Sequence, residues 1–89
     1  MRHRYLEVTF RDGRPVAGYL YLARKPGDTS ARTERRDAGL LVDFAADGRP
    51  IGIEITAPSK LSLATLNQVL AEINEEPVDQ AELSPLIAA

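Results

Sequence analysis

No cysteine occurs among the 89 residues, and that absence removes disulfide cross-links, thiolate nucleophiles and cysteine-ligated zinc together. Packing alone must hold the fold. Histidine is nearly as scarce: the one imidazole, His3, stands between Arg2 and Arg4 at the start of the chain. Neither a histidine-rich metal site nor a serine triad can be built without it. Long apolar runs are missing, which argues against a membrane-spanning helix. An apolar leader is also missing after Met1-Arg2-His3-Arg4-Tyr5, so a signal peptide is not expected and a cytoplasmic location is. The six glycines never form a G-x-S-x-G, G-x-G-x-x-G or P-loop pattern, which leaves nucleophile elbows, dinucleotide sites and NTP sites without their usual signatures. No cofactor or metal is expected, and no internal repeat or low-complexity run is visible.

What is present fits a single small domain over residues 1–89, with a β-sheet core in 1–57 and a helical segment in 58–89. The composition is ordinary for a globular chain, at 44% hydrophobic and 27% charged. A domain of this size has a modest core, so an oligomer that hides more apolar area is an expected remedy. The net charge of −2 conceals an asymmetry. All 11 Lys and Arg lie in residues 1–60 beside eight acids, whereas residues 61–89 carry five acids and no base. Halves of opposite sign attract one another within a subunit or across a dimer, although exposed charges are screened over about 10 Å at ordinary salt.

Alternation opens the chain. Leu6, Val8 and Phe10 fall on one face of a strand and Tyr5, Glu7 and Thr9 on the other. Asp12-Gly13 supplies a hairpin turn, with Pro15 limiting the ladder beside it. Val16 to Ala23 is apolar on both faces, as expected of a strand covered on two sides or facing a subunit interface. A polar loop follows from Arg24 to Ser30, broken by Pro26-Gly27. Residues 31–37 then read as a charged edge strand.

The stretch "LLVDFAADGRPIGIEI", residues 40–55, has the pattern of a second hairpin. With a two-residue Asp47-Gly48 turn, facing residues have numbers that sum to 95. Leu40 then meets Ile55, Val42 meets Ile53 and Phe44 meets Ile51, while Asp43 faces Gly52 and Leu41 faces Glu54. In that register isoleucines 51, 53 and 55 point inward and the acids outward. Beyond Pro58 the period changes to a helical one: Leu63, Leu66, Val69, Leu70 and Ile73 form one stripe. Ser62 caps this helix, Leu61 and Leu66 form a staple, and Pro77 ends it, giving a helix from Leu63 to Asn74. Asp79 and Glu82 have the spacing of a capping box for a short helix from Gln80 to Leu83, stopped near Pro85. Leu86 and Ile87 then require cover on the same or a neighbouring subunit.

Three constellations bear on function. Asp43 and Glu54 are diagonal neighbours on the polar side of the hairpin; a carboxylate mechanism needs a cleft and a shifted pKa as well. With Arg32 or Arg36 available to pair with them from the next strand, they read as surface groups rather than a hydrolase site. The second constellation is basic: Arg24, Lys25, Arg32, Arg35 and Arg36, with Tyr19 or Tyr21 as stacking rings, have the composition of a single-stranded nucleic-acid surface. A pI of 5.3 argues against it. The third is an interaction face made by the tyrosine strand, with a second copy of the chain as its first candidate partner.

"GLLVDFAADGRPIGIEI" closely resembles the hallmark of the small bacterial domain of unknown function 2283, matching at Gly39, Val42, Asp43, Asp47, Gly48, Gly52, Ile53, Glu54 and Ile55. "LYLA" at 20–23 resembles that family's Leu-Tyr-Ile strand, with Tyr21 at the tyrosine. Two positions depart: Gly18 stands where relatives carry an acid, and Ala45-Ala46 replaces an acid in the turn. The resemblance implies a small β-rich domain with no established activity, some relatives being suspected partners of toxin-like proteins.

Together these readings predict an α+β domain: an antiparallel sheet of four or five strands built from hairpins, one α-helix packed on one face and a short terminal helix. They predict a non-enzymatic, homodimeric, antitoxin-like interaction module with a toxin-like protein as candidate partner and no membrane; nucleic-acid binding through the Arg and Lys of residues 24–36 is the alternative, and a carboxylate-dependent hydrolase comes last. The candidate face of the module comprises Tyr19, Tyr21, Asp43, Glu54, Arg32 and Arg36.

Overall fold

The computed structural model describes residues 4–87, without the Ile87 side chain. His3 and the cover expected for Ile87 lie outside the described residues. Five strands, β1 (Tyr5–Arg11), β2 (Arg14–Tyr21), β3 (Arg32–Arg36), β4 (Leu40–Phe44) and β5 (Pro50–Ile55), precede two helices, α1 (Leu63–Glu72) and α2 (Gln80–Ile87). The fold is α+β. The strands form one open antiparallel sheet in the order β1-β2-β5-β4-β3. Each hairpin contributes an inner strand, so β5 joins β2 and ties the two hairpins together.

Alternation sorts the side chains onto two faces. Leu20, Leu22, Leu40, Val42, Ile53 and Ile55 point to the helix side. There they form one cluster with Leu61, Leu66, Val69, Leu70, Ile73, Val78, Leu83 and Leu86. Each fully buried Leu or Ile contributes roughly 1.5–3 kcal/mol of transfer free energy, so this layer dominates the stability. Ile51 is equally buried but lies outside that cluster. Among the described residues no helix packs on the other face of the sheet.

The β4–β5 register follows the expected sum from Leu40↔Ile55 to Asp43↔Gly52, then slips by one so that Phe44 meets Pro50 rather than Ile51. The turn causes the slip. Ala45 N–H bonds to the Arg49 carbonyl and Gly48 N–H to the Ala45 carbonyl, making a three-residue loop with Gly48 at φ 90° instead of a two-residue turn. Asp47 accepts from Arg49 through its side chain and does not adopt the left-handed conformation.

The helices depart from expectation at their ends. Ser62 caps α1 by accepting from Thr65 N–H, as expected. However, α1 stops at Glu72, before Pro77. Asn74 takes a left-handed φ of 61°, Glu75 N–H reaches Leu70 O and Asn74 N–H reaches Ala71 O, a Schellman closure. Asn67 then clamps the connection, exchanging two hydrogen bonds with the Val78 backbone. The Asp79–Glu82 capping box is present with both reciprocal bonds. α2 nonetheless runs through Pro85 to Ile87. Proline cannot donate to the Ala81 carbonyl, and the Ser84 hydroxyl takes that acceptor instead. Leu86 is covered within the chain, its side chain lying over Gly18, where an added Cβ would come within 3.0 Å. Among the described residues no helix is long and apolar enough to cross a membrane.

Candidate functional site

The sheet face opposite the helices is assembled from odd-numbered residues of β1, β2, β3 and β4 and even-numbered residues of β5. Register alone orders them in two rows. One runs Tyr5, Tyr21, Gly52, Asp43 and Thr33; the next runs Glu7, Tyr19, Glu54, Leu41 and Arg35. The three tyrosines make one aromatic group. Tyr5 stacks on Tyr21 at 4.6 Å between ring centres, and Tyr19 meets Tyr21 edge-on at 4.7 Å.

Tyr19 does not stand over its direct partner Glu54. Its ring crosses Gly52, and its hydroxyl donates to Asp43 Oδ2 at 2.7 Å. Only a glycine permits that path, because a Cβ at position 52 would lie 2.0 Å from the Tyr19 oxygen. Asp43 is further bound through Oδ1 by Thr33 at 2.6 Å and Ser30 at 3.2 Å. Arg24 completes the group. Its Nη2 donates to the Tyr19 oxygen, its Nε donates to the Ile51 carbonyl, and its guanidinium lies 5.0 Å from the Tyr21 ring centre. Burial, followed by the Asp43 hydrogen bond and charge, pushes the Tyr19 phenol well above the ordinary tyrosine range. Tyr21 is shifted upward too, first by desolvation and then by Glu7, whose carboxylate accepts from it at 3.4 Å.

Of the residues singled out by sequence, Tyr19, Tyr21, Asp43 and Glu54 share this face, with Glu54 exposed to solvent. Asp43 and Glu54 are diagonal, as the register requires, and neither lines the cleft beside Leu6 or the one beside Glu72. Arg32 and Arg36 do not belong. They sit opposite Phe44 and Leu40 and therefore face the helix side of β3. There Arg32 lies over the Phe44 ring at 4.3 Å, and both arginines pair with Glu34, Arg36 also reaching Glu72 of α1. Strand alternation decides this: the residues of β3 that share a face with Asp43 are Thr33 and Arg35. The five basic residues of 24–36 are thus divided between the two faces. Among the described residues no three His, Cys, Asp or Glu side chains converge as metal ligands.

Sequence reasoning did not find Ser30 and Thr33 as the partners of Asp43, nor Tyr5 and Glu7 as members of the face. A signal existed, since a glycine opposite an aspartate on a solvent-facing row leaves room for a long neighbour.

Residues 17–59 match the model of a family described as "Protein of unknown function (DUF2283)". The matched segment runs from β2 to the turn before α1. It contains Tyr19, Tyr21, Arg24, Asp43, Gly52 and Glu54, while β1 and both helices lie outside it. No curated protein and no solved structure matches the chain.

Proposed function

We propose, from the match of residues 17–59 to the DUF2283 family model, that the chain is a non-enzymatic interaction module whose docking surface is the open sheet face. The observation that supports this reading is the aromatic group of Tyr5, Tyr19 and Tyr21 with Arg24 across it, on a face that neither α1 nor α2 covers among the described residues. Tyrosine and arginine are the residues enriched where protein interfaces concentrate their binding energy. The face is also preorganised: Gly52, Asp43 and Thr33 fix Tyr19 in place before any partner arrives, so little side-chain entropy remains to be lost on docking. Its mixture of rings with Glu7, Asp43 and Glu54 suits a different protein with complementary charge, a toxin-like one being the type the family resemblance suggests. Obligate self-association favours a more uniformly apolar surface.

The test is capture from the native host with three baits: the wild-type chain, Tyr5→Ala and Tyr21→Ala. The reading expects a partner retained by wild type and lost by at least tenfold with each variant at matched thermal stability. Equal retention by all three baits contradicts it.

A further inference from the structure

We propose that two copies of the chain pair antiparallel through their β1 edges, joining the two sheets into one of ten strands. The two edges of the sheet differ in how they resist such pairing. At one end β3 reads Arg-Thr-Glu-Arg-Arg, a charged and short strand of the type that discourages edge contact. At the other end β1 reads Tyr-Leu-Glu-Val-Thr-Phe-Arg. It is longer, holds no proline or lysine, and is rich in β-branched and aromatic residues. The irregularity in the β1–β2 ladder leaves Val16 unpaired on β2, because Thr9 meets Ala17 and Phe10 meets Pro15. The extra residue is on the inner strand, so the outer edge of β1 stays regular.

β1 is complementary to itself in one register. With a two-fold axis through Val8, Leu6 faces Phe10 of the second copy, Val8 faces Val8, Glu7 faces Thr9 and Tyr5 faces Arg11. Every helix-side pair is apolar, and no two like charges stand directly opposite, although Glu7 has both Arg11 and Glu7 of the second copy on its diagonals.

A second observation fits the same register. Phe10 points to the helix side of β1 yet is 55% exposed, because the helices cover Leu6 and Val8 but do not extend to it. A cleft of about 280 Å³ opens beside Leu6, walled by Leu20, Leu66, Val78 and Leu83 together with the Arg4–Glu82 ion pair. Facing Phe10 against Leu6 sets the exposed ring of each copy at the rim of the other's cleft. A bare aromatic and a partly apolar hollow thereby account for one another twice over. The pairing leaves Tyr19, Tyr21 and Asp43 uncovered, so the dimer presents two docking faces side by side and raises their avidity for a repeating partner.

Light scattering after size exclusion on the full chain tests the proposal. The expected mass is twice 9.7 kDa, and Phe10→Lys is expected to weaken association by about 30-fold or more. Register is read separately from the absence of native cysteine: an equimolar mixture of Glu7→Cys and Thr9→Cys chains is expected to form the mixed disulfide ahead of either symmetric one, since only facing positions bring Cβ atoms within reach. A mass of 9.7 kDa at all concentrations overturns the proposal, as does a dimer unaffected by Phe10→Lys or a predominance of symmetric disulfides.

Discussion

Gly52 shows how one missing side chain organises the open face. Tyr19 lies in the space a Cβ would fill and reaches Asp43 across it. Replacing Gly52 with alanine is therefore expected to displace the ring, break the Tyr19–Asp43 bond and cost about 1–3 kcal/mol, read as a shift in the denaturant midpoint. In a Tyr19→Ala background the same substitution should cost less than half as much, because the obstructing ring is gone. Tyrosine ionisation offers an independent reading. Tyr19 is held neutral by burial and by Asp43, so its folded pKa lies above the unfolded value of about 10. The sign follows directly: the stability this group contributes is fully present below pH ~10 and is lost as pH rises through the higher folded value. An absorbance titration of phenolate should show a late phase that Tyr19→Phe removes; a single ordinary transition in the wild type would contradict the arrangement.

At the scale of elements, the helix-side stripe, the capping box and the central β4–β5 register are legible in residues 40–83, because period and pairing depend on short-range spacing alone. The ends are less so. Nothing local separates a two-residue turn at Asp47-Gly48 from the three-residue loop that forms, since both place Gly48 at positive φ and only the Ala45 and Arg49 backbone bonds decide. Pro77 looked like the terminator of α1, but Asn74 closes the helix first by entering the left-handed region. Asn74→Gly is accordingly expected to be neutral or mildly stabilising, and Asn74→Ala to destabilise by about 1 kcal/mol, in thermal or chemical unfolding. Equal effects from both would show that the Schellman closure contributes little. The candidate site was half legible. The hairpin register placed Asp43 and Glu54 correctly as diagonal neighbours, whereas the position of Tyr19 and Tyr21 beside them depended on the β2–β5 pairing, and the fate of Arg32 and Arg36 on the β3–β4 register, which weak patterning in residues 31–37 does not specify.

Across the whole molecule, the basic sheet half and acidic helical half are joined where their charges meet. Arg36 binds Glu72 on α1 at 2.8 Å, and Arg4 binds the Pro77 carbonyl at 2.5 Å, the Glu76 carbonyl and Glu82. Arg49 likewise joins Asp28 of the β2–β3 loop to Asp47 of the hairpin turn. Arg49 lowers the pKa of both acids, chiefly by hydrogen bonding, and Arg36 does the same for Glu34. Carboxylates with depressed folded pKa values contribute stability above their unfolded value of about 4, and that contribution is lost as pH falls through the folded values. Thermal unfolding between pH 7 and 2 should therefore show a decline beginning near pH 4, made shallower by Arg49→Met; an unchanged slope would place the acid sensitivity elsewhere. The functional account depends on which side of the sheet meets a partner. Its most direct measurement is amide and side-chain NMR mapping of the isotope-labelled chain titrated with the captured protein. The account predicts perturbations centred on Tyr5, Tyr19, Tyr21, Arg24 and Glu54, and perturbations confined to α1 and α2 would contradict it.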